Sequence, residues 1–246
     1  MPAISVARPE SSTAHEIVAR AGLFHKAEPS EIADVSRQLH RVRYRRQQAI
    51  YAEGGSGDRL YVIASGKIKL SRRGADGRLH LLALMGAPEM FGALSVFDPG
   101  PQTSTATALT DVTAVAIDGE VLRGWVSEHA EIGERLLRVL ARRLRRADQA
   151  MSDLVFADVA GRAASQLLRL GKQFGVRQNE GIRVDHGLTQ EEIGQLIGAA
   201  RETVNVILND FTQRGWIRMS HKSILITDSE RLVRRARLTV VAGSNG

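Results

Sequence analysis

The sequence predicts an α+β protein made of an antiparallel β-barrel of the jelly-roll type, a long helix and a C-terminal winged helix-turn-helix. Short β-like runs separated by glycines fill residues 41–117, a pattern typical of a barrel or jelly roll. Apolar residues then recur at alternating spacings of three and four between residues 137 and 154, which predicts a long helix. Finally, residues 189–226 read as two short amphipathic helices followed by a β-hairpin.

Composition limits the classes to which the chain can belong. Its 246 residues suffice for two domains, and the absence of cysteine excludes disulfides, thiolate metal sites and iron–sulfur clusters. Every apolar run is too short to span a membrane and the first residues lack a secretory pattern, so we expect a cytoplasmic protein without membrane contact. The net charge of +7 comes from +4 in residues 134–149, −1 in residues 150–157 and +4 in residues 158–246, whereas residues 1–133 are balanced. This distribution is typical of a sensor domain followed by a polyanion-binding domain.

The N-terminal half is interpreted as a disordered start followed by the barrel domain. Residues 1–15 are rich in proline, serine and alanine without periodicity, and we expect them to be disordered. A helical stretch is predicted over residues 16–39, and the barrel domain as a whole over residues 16–129. Ala75-Asp76-Gly77 is a hairpin signal between two predicted strands. The predicted strands cover residues 60–63, 67–70, 79–82 and 112–117.

A helix and hinge are predicted over residues 130–157, and residues 158–161 are interpreted as the hinge that leads into the C-terminal domain. The apolar residues of the helix form a heptad seam, whereas a helix that covers its own barrel needs a broad stripe. We therefore predict that two copies of the chain pair in parallel along this seam, with burial inside one chain as the alternative. The predicted dimer residues are Leu137, Leu140, Leu144, Ala147, Met151 and Leu154.

The most informative stretch of the chain is the pair of short helices between residues 189 and 211. Thr189 and Glu192 have the spacing of a capping box, which begins the first helix, and Gly198 permits a sharp turn. Apolar residues of the second helix recur at i, i+3, i+4 and i+7 and must face inward. A helix-turn-helix presents the opposite face to the major groove of DNA, whereas an ordinary helical hairpin leaves it to solvent. The outward residues are Arg201, Glu202, Asn205, Val206 and Asn209.

Two short strands about a polar turn follow these helices and complete a winged helix. We assign residues 158–237 to this domain, with its first helix at about residues 162–174, and residues 238–246 to a tail. His221 lies in the polar turn, where it could touch a phosphate, although a solvated side chain is the simpler interpretation.

Several motifs occur along the chain in a fixed order: Tyr51-Ala52-Glu53-Gly54, Leu60-Tyr61-Val62-Ile63, Ser65-Gly66-Lys67, Gly161-Arg162 and residues 189–211. Together with the order of barrel, long helix and winged helix, they resemble the cyclic-AMP receptor protein (Crp/Fnr) family of bacterial transcription regulators over residues 17–237. Phe97-Asp98-Pro99-Gly100-Pro101 is most similar to the actinobacterial branch. The resemblance implies a homodimer that binds two-fold symmetric double-stranded DNA and engages RNA polymerase.

The resemblance also assigns roles to the start of the second helix of the motif, the recognition helix. A guanidinium can bond guanine O6 and N7, and a carboxylate can accept from cytosine N4. Arg201 and Glu202 therefore imply a palindromic site with a GTG/CAC-like core, while Thr203 and Gln190 would hold phosphates.

At two DNA-facing positions the chain departs from the family. Ala200 stands where a serine is common, which removes a phosphate contact. Val206 stands where a basic residue is common, and it would meet a thymine methyl group or contact nothing. We expect these changes to relax specificity more than affinity.

The ligand pocket departs further from the family. The resemblance implies a Glu that bonds the ribose of a cyclic nucleotide and an Arg that neutralises its phosphate, but here Ala93 replaces the Glu and Gln102 replaces the Arg. The long helix has Ala147 and Asp148 where the family presents polar groups to the adenine. We therefore expect a regulator that needs neither cyclic AMP nor another cofactor. The degenerate pocket comprises Gly92, Ala93, Leu94, Ser95, Gln102, Thr103, Ala147 and Asp148.

Two alternatives stay open. In the first, Gly92, Leu94, Thr103 and backbone amides still hold a nucleotide, so that cyclic AMP regulates the protein weakly or a different ligand does. In the second, the protein coats DNA as an architectural protein with little sequence preference. We expect no enzyme, catalytic residue or metal site, because the chain lacks a Gly-rich phosphate loop, a HExxH helix and a nucleophile elbow.

Overall fold

The computed structural model describes residues 11–20, 37–75, 77 and 79–241, and the chain divides into two units between Arg142 and Arg143. This division falls inside the long helix, which was predicted as a separate segment over residues 130–157. The first unit contains α1 (Ser11–Arg20), β1 (Leu39–Tyr44), β2 (Ala49–Tyr51), β3 (Arg59–Ser65), β4 (Lys67–Arg73), β5 (Leu79–Gly86), β6 (Met90–Phe91), α2 (Leu94–Phe97), β7 (Thr105–Ala108), β8 (Val112–Asp118), α3 (Gly119–Glu128) and the start of α4 (Ala130–Phe156).

The strands form two antiparallel four-stranded sheets, in the orders β1-β8-β3-β6 and β2-β7-β4-β5, as the sequence predicts for a jelly roll. Strand β3 shows why its sequence is apolar throughout: Tyr61 and Ile63 lie in one core cluster, and Leu60 and Val62 lie in a second cluster on the other face. The predicted hairpin joins β4 to β5, with Gly77 in the left-handed region at φ +75°.

The prediction of disorder over residues 1–15 is wrong from Ser11 onward, because α1 begins there. Ala14 and Val18 are fully buried in the core cluster of Leu60, so tertiary packing stabilises a segment that lacks a strong local signal. The helix predicted over residues 16–39 is present at residues 16–20. Its predicted end is wrong, since Leu39 starts β1 and pairs with Ile117 of β8. The intervening residues 21–36 lie outside the described part of the chain, as do residues 1–10.

Helix α4 is 27 residues long and carries two apolar stripes. Ile132 and Leu136 are buried in the core cluster of the barrel. Leu137 and Leu144 are 66% and 64% exposed. Leu137 and Leu144 of the seam therefore lie apart from the stripe that covers the barrel and are not buried within the chain.

The second unit is the predicted winged helix with additions. It contains the end of α4, α5 (Val159–Phe174), β9 (Gly175–Gln178), β10 (Gly181–Val184), α6 (Gln190–Ile197), α7 (Arg201–Gln213), β11 (Ile217–Ser220), β12 (Ser223–Ile226) and α8 (Ser229–Val241). The wing hairpin β11–β12 is confirmed, and it extends into an antiparallel sheet in the order β11-β12-β10-β9. Strands β9 and β10 were not predicted, because all four residues of β9 are exposed and give no apolar alternation.

Two boundaries in the second unit differ from the prediction. Helix α5 begins at Val159, because the side chain of Asp158 caps it by accepting the N–H of Gly161, so the expected hinge is the first turn of a helix. Helix α8 runs to Val241, into the predicted tail, because it packs on α5 with Leu232 fully buried. Within the described ranges, no helix has the length and apolar character needed to cross a membrane.

Candidate nucleic-acid interface and sensor pocket

The first helix of the helix-turn-helix is held at both ends by the predicted residues. The N–H of Glu192 donates to Thr189 Oγ1 at 3.1 Å, and the N–H of Thr189 donates to the Glu192 carboxylate at 2.8 Å, which completes the capping box. Gly198 ends the helix at φ +71°, a conformation that glycine adopts without strain. The turn therefore forms where the sequence predicts it.

The recognition helix α7 buries one face and leaves the other to solvent. Val204, Leu208 and Phe211 are buried, and Ile207 is half-buried. Val206 is 69% exposed on the outer face, which makes it a large apolar side chain without cover. Among the other predicted DNA-facing residues, Arg201, Glu202, Thr203 and Asn209 are exposed and Asn205 is half-buried.

The N-terminus of α7 presents backbone N–H donors to which an anion could bind. Ala200 is the N-cap residue and brings no side-chain oxygen to the N–H groups of the first turn. These N–H groups carry the positive end of the helix dipole, where a phosphate binds favourably. Ala200 therefore contributes no capping oxygen, and the backbone N–H groups of the first turn are the donors that this end of the helix presents.

A cleft of about 470 Å³ separates this end of α7 from the wing. Gln190 and Arg201, which the sequence predicts as DNA contacts, both line it. The structure adds His221 and Lys222 from the turn between β11 and β12 on the opposite side. Lys222 was not among the residues predicted to contact DNA. Its cationic side chain in the wing turn was the signal that could have identified it. The cleft therefore brings together cationic and amide groups suited to phosphate oxygens, with Glu191 also in its lining.

Asp158 fixes the junction between α4 and the DNA-binding domain. Its carboxylate accepts the N–H of Gly161 at 2.8 Å and also pairs with the guanidinium of Arg235 on α8. The Arg235 hydrogen bond, helped by the Gly161 N–H, holds the pKa of Asp158 below its usual range against the opposing effect of partial burial. The ionised carboxylate is therefore the stabilising form.

Asp158→Ala should lower the free energy of unfolding by about 1 kcal/mol at neutral pH, the usual cost of a lost N-cap. Since the native carboxylate ionises at lower pH than the unfolded one, its contribution is complete above about pH 4 and is lost as the pH falls through the native pKa. Urea unfolding of both proteins at neutral and acidic pH should show the difference closing in acid. Glu180→Ala, which removes an exposed ion pair with Arg218, serves as the control and should have a smaller effect. A difference for Asp158→Ala that is independent of pH would contradict this assignment.

In the sensor pocket, the residue that replaces the family's Glu has become part of a hydrophobic core. Ala93 precedes α2, and its side chain is buried in a cluster with Val96 and Trp125. A carboxylate at this position would have to leave the cluster or be buried without a partner charge. Leu94 next to it is exposed.

The residue that replaces the family's Arg fills space inside the pocket. Gln102 is 9% exposed, and its Nε2 donates to Ser95 Oγ at 3.0 Å. Ser95 Oγ in turn donates to the carbonyl of Gly92 at 3.2 Å. A Cβ added to Gly57 would lie 1.7 Å from Gln102 Nε2, so the amide packs directly on that glycine. The structure thus brings Gly92, Ser95 and Gln102 into one hydrogen-bonded group.

The remaining predicted pocket residues lie outside this group. Thr103 is exposed next to Gln102. Ala147 and Asp148 are exposed on α4 and belong to the second unit. A cyclic phosphate at Gln102 would meet an uncharged amide, and one of the two N–H groups of that amide already donates to Ser95. Since a hydrogen bond to a charged group contributes about 1.5–3 kcal/mol, we expect loss of the Arg to weaken binding of a cyclic nucleotide at least roughly tenfold.

The apolar seam of α4 continues beyond the predicted dimer residues. Met151 and Leu154 are exposed, Ala147 is exposed and Leu140 is half-buried. Val155 and Phe156, the last two residues of the helix, are exposed as well. Exposed apolar side chains clustered in this way are typical of an interaction site.

Comparisons with known proteins agree with this architecture. The family described as "Cyclic nucleotide-binding domain" matches residues 41–129, and the "Crp-like helix-turn-helix domain" matches residues 161–235. A "CRP-like cAMP-activated global transcriptional regulator" of Mycobacterium tuberculosis is 57% identical over 222 residues, covering 90% of this chain and 99% of the relative. The "Cyclic AMP receptor protein" of Thermus thermophilus is 30% identical over 207 residues, covering 84% and 93%.

Solved structures show the same fold. A CRP-family transcriptional regulator from Thermus thermophilus aligns with a TM-score of 0.67 and 26% identity, over 79% of this chain and 95% of that one. FixK2 from Bradyrhizobium japonicum aligns with a TM-score of 0.69 and 20% identity, over 80% and 96%. Within the described residues, no group of three or more His, Asp or Glu side chains could hold a metal ion.

Proposed function

The chain belongs to the cyclic-AMP receptor protein (Crp/Fnr) family and is a sequence-specific DNA-binding transcription regulator, and from this premise we propose that it reads a palindromic site as a homodimer without cyclic AMP. The observation that carries the proposal is the buried hydrogen bond from Gln102 to Ser95, which places an uncharged amide that already has a partner where the family has an arginine. The name of the Mycobacterium relative describes it as cAMP-activated, so under this proposal the two proteins differ in their requirement for cyclic AMP.

The proposed base readout rests on the exposed start of α7. Arg201 would bond guanine and Glu202 would accept from the cytosine of an adjacent pair, which gives GTG/CAC-like half-sites. Gln190, Lys222 and the open N-terminus of α7 would hold the phosphates that fix the register of the protein on the duplex. The arrangement is that of a DNA-binding protein and not of an enzyme.

Val206 gives the half-site a feature that is specific to this chain. Its exposed isopropyl group offers an apolar contact to the methyl group of a thymine, where a basic side chain would contact a phosphate or a guanine. We therefore expect the selected half-sites to carry a thymine at the position that faces the centre of α7.

Val206→Lys should lose the preference for that thymine and gain affinity that falls more steeply with salt, because the new cation adds a phosphate contact. Binding to duplexes with each of the four bases at this position, measured at two salt concentrations, checks both effects. Val176→Lys, at an exposed valine on β9, provides the matched control and should leave the base preference as it is. An unchanged base preference in Val206→Lys would contradict a readout role for Val206.

We propose that two chains pair along the seam to form the functional dimer. Paired α4 helices would cover the leucines and Met151 and would place two recognition helices on one duplex, which matches the symmetry of a palindrome. By the same family relationship, the proposed partners are DNA and RNA polymerase, in the cytoplasm.

A selection of random duplexes by the ligand-free full-length protein tests the proposal. We expect enrichment of palindromes with GTG/CAC-like half-sites in the absence of any nucleotide. Enrichment that requires added cyclic AMP would instead support a nucleotide-responsive regulator. Binding without sequence enrichment and with a steep salt dependence would support an architectural protein.

A further inference from the structure

One arginine links three segments of the DNA-binding domain through its guanidinium group. Arg162 lies in the first turn of α5, and its Nε donates to the carbonyl of Ile197 at 3.0 Å. Its Nη2 donates to the carbonyl of Gly198 at 3.0 Å, and its Nη1 donates to the carbonyl of Ala157 at 3.0 Å. The first two carbonyls end α6, where the helix itself offers no donors, and the third directly follows α4.

The other side of the same turn rests on the long helix. A Cβ added to Gly198 would lie 2.9 Å from Leu154 Cδ2, so the Leu154 side chain fills the space beside this glycine. Leu154 is part of the last turn of α4 and also of the proposed dimer seam. The turn between α6 and α7 is therefore held between the guanidinium of Arg162 and the side chain of Leu154.

The position of this turn sets the position of the recognition helix. Arg201 and Glu202 follow Gly198 by three and four residues, and the N–H of Ala199 is tied back to the carbonyl of Gly194 at 3.1 Å. A shift of the turn therefore displaces the residues proposed to read bases. From this geometry we propose that Arg162 is a positioning residue for sequence-specific DNA binding, which docks the turn of the helix-turn-helix onto the end of α4.

Arginine suits this role for a chemical reason. Its planar guanidinium presents donors in a fixed fork and can serve three carbonyls in different directions at once. Lysine keeps the charge, but its single ammonium cannot reproduce this fork. This role rests on the proposed sequence-specific DNA binding of the protein, and it holds whether or not a nucleotide binds.

Arg162→Lys should weaken binding to the selected palindrome about tenfold, because one or more helix-end carbonyls lose a charged donor and the turn shifts. Binding to a scrambled duplex should stay within about twofold of wild type, since non-specific affinity depends on the number of cations and that number is unchanged. Arg231→Lys on the exposed face of α8 is the matched control and should change neither affinity. Unchanged specific affinity in Arg162→Lys, or an equal loss on both duplexes, would overturn the proposal.

A double-mutant cycle keeps the proposal testable if Arg162→Lys also lowers stability. Arg162→Lys and Leu154→Ala act on the same turn, so their effects on specific affinity should be non-additive by about threefold or more. Leu144→Ala, ten residues earlier in the seam, is the control for dimer effects, and its combination with Arg162→Lys should be additive. All measurements are made at protein concentrations where sizing shows an unchanged assembly. Additive behaviour of the Arg162 and Leu154 variants would contradict a shared role in holding the turn.

Discussion

Leu144→Glu should convert the proposed dimer into a monomer and weaken binding to a palindromic duplex by at least about 100-fold. Leu144 lies in the middle of the seam, and pairing two copies would make two carboxylates face each other in an apolar interface, where desolvation and like-charge repulsion oppose association. Once the copies separate, each must find its half-site alone, which removes the effective-concentration advantage of about 100-fold or more that linked sites provide. Sedimentation and fluorescence anisotropy on a labelled duplex measure the two effects.

The matched control adds a carboxylate to the opposite side of the same helix. Gln149→Glu introduces a charge next to Asp153, which should cost a few tenths of a kcal/mol of helix stability and leave assembly unchanged. If Leu144→Glu sediments like the wild type, the seam is not the interface and the exposed leucines need another explanation.

Arg201→Ala should have the second largest effect, a loss of about 30-fold or more in affinity for the selected palindrome. A bidentate contact to guanine contributes about 1–3 kcal/mol of discrimination, and a dimer carries the change at both half-sites. The variant should also become indifferent to replacement of the contacted guanine, because the group that distinguishes it is gone. Competition binding on the two duplexes measures both quantities.

Arg177→Ala provides the charge-matched control for this prediction. Arg177 is exposed on β9, away from the recognition helix in sequence, and its loss should lower affinity for all duplexes equally or not at all. If Arg201→Ala kept the wild-type preference for the guanine, the assignment of Arg201 to base readout would be wrong.

Local patterns in the sequence were enough to locate the helix-turn-helix. The capping box of Thr189 and Glu192, the turn at Gly198 and the inward face of α7 are each encoded within a few residues, and each occurs as expected. Strands β3, β4, β5 and β8 of the barrel also followed from short apolar runs between glycines, whereas β1, β2, β6 and β7 were not predicted individually. The first turns of helix α1 were not predicted either, since Ala14 and Val18 are stabilised by a sheet that comes later in the chain.

The features of the site that could not be predicted from the sequence are contacts between segments that lie far apart in the chain. Arg162 meets Ile197 and Gly198 after a separation of more than thirty residues, and no spacing rule in the sequence predicts such a contact. The substitutions at Ala93 and Gln102 were visible in the sequence. Their consequences were not: one side chain joins a hydrophobic core and the other binds Ser95.

These two substitutions also make physical sense as a pair. Removing one member of a buried acid–base pair leaves an uncompensated charge, which is strongly destabilising, whereas two neutral residues avoid that penalty. In this chain the alanine packs among apolar side chains and the amide finds a hydroxyl partner. The barrel can therefore stay folded without the family's acid–base pair.

The central claim is that DNA recognition by this protein does not depend on cyclic AMP. The most direct test measures the affinity of the purified full-length protein for its selected palindrome with and without saturating cyclic AMP, alongside calorimetric titration of the protein with the nucleotide. We predict the same DNA affinity in both conditions and no heat of tight binding. A tenfold or greater gain in DNA affinity on adding cyclic AMP, accompanied by saturable binding of the nucleotide, would contradict the account.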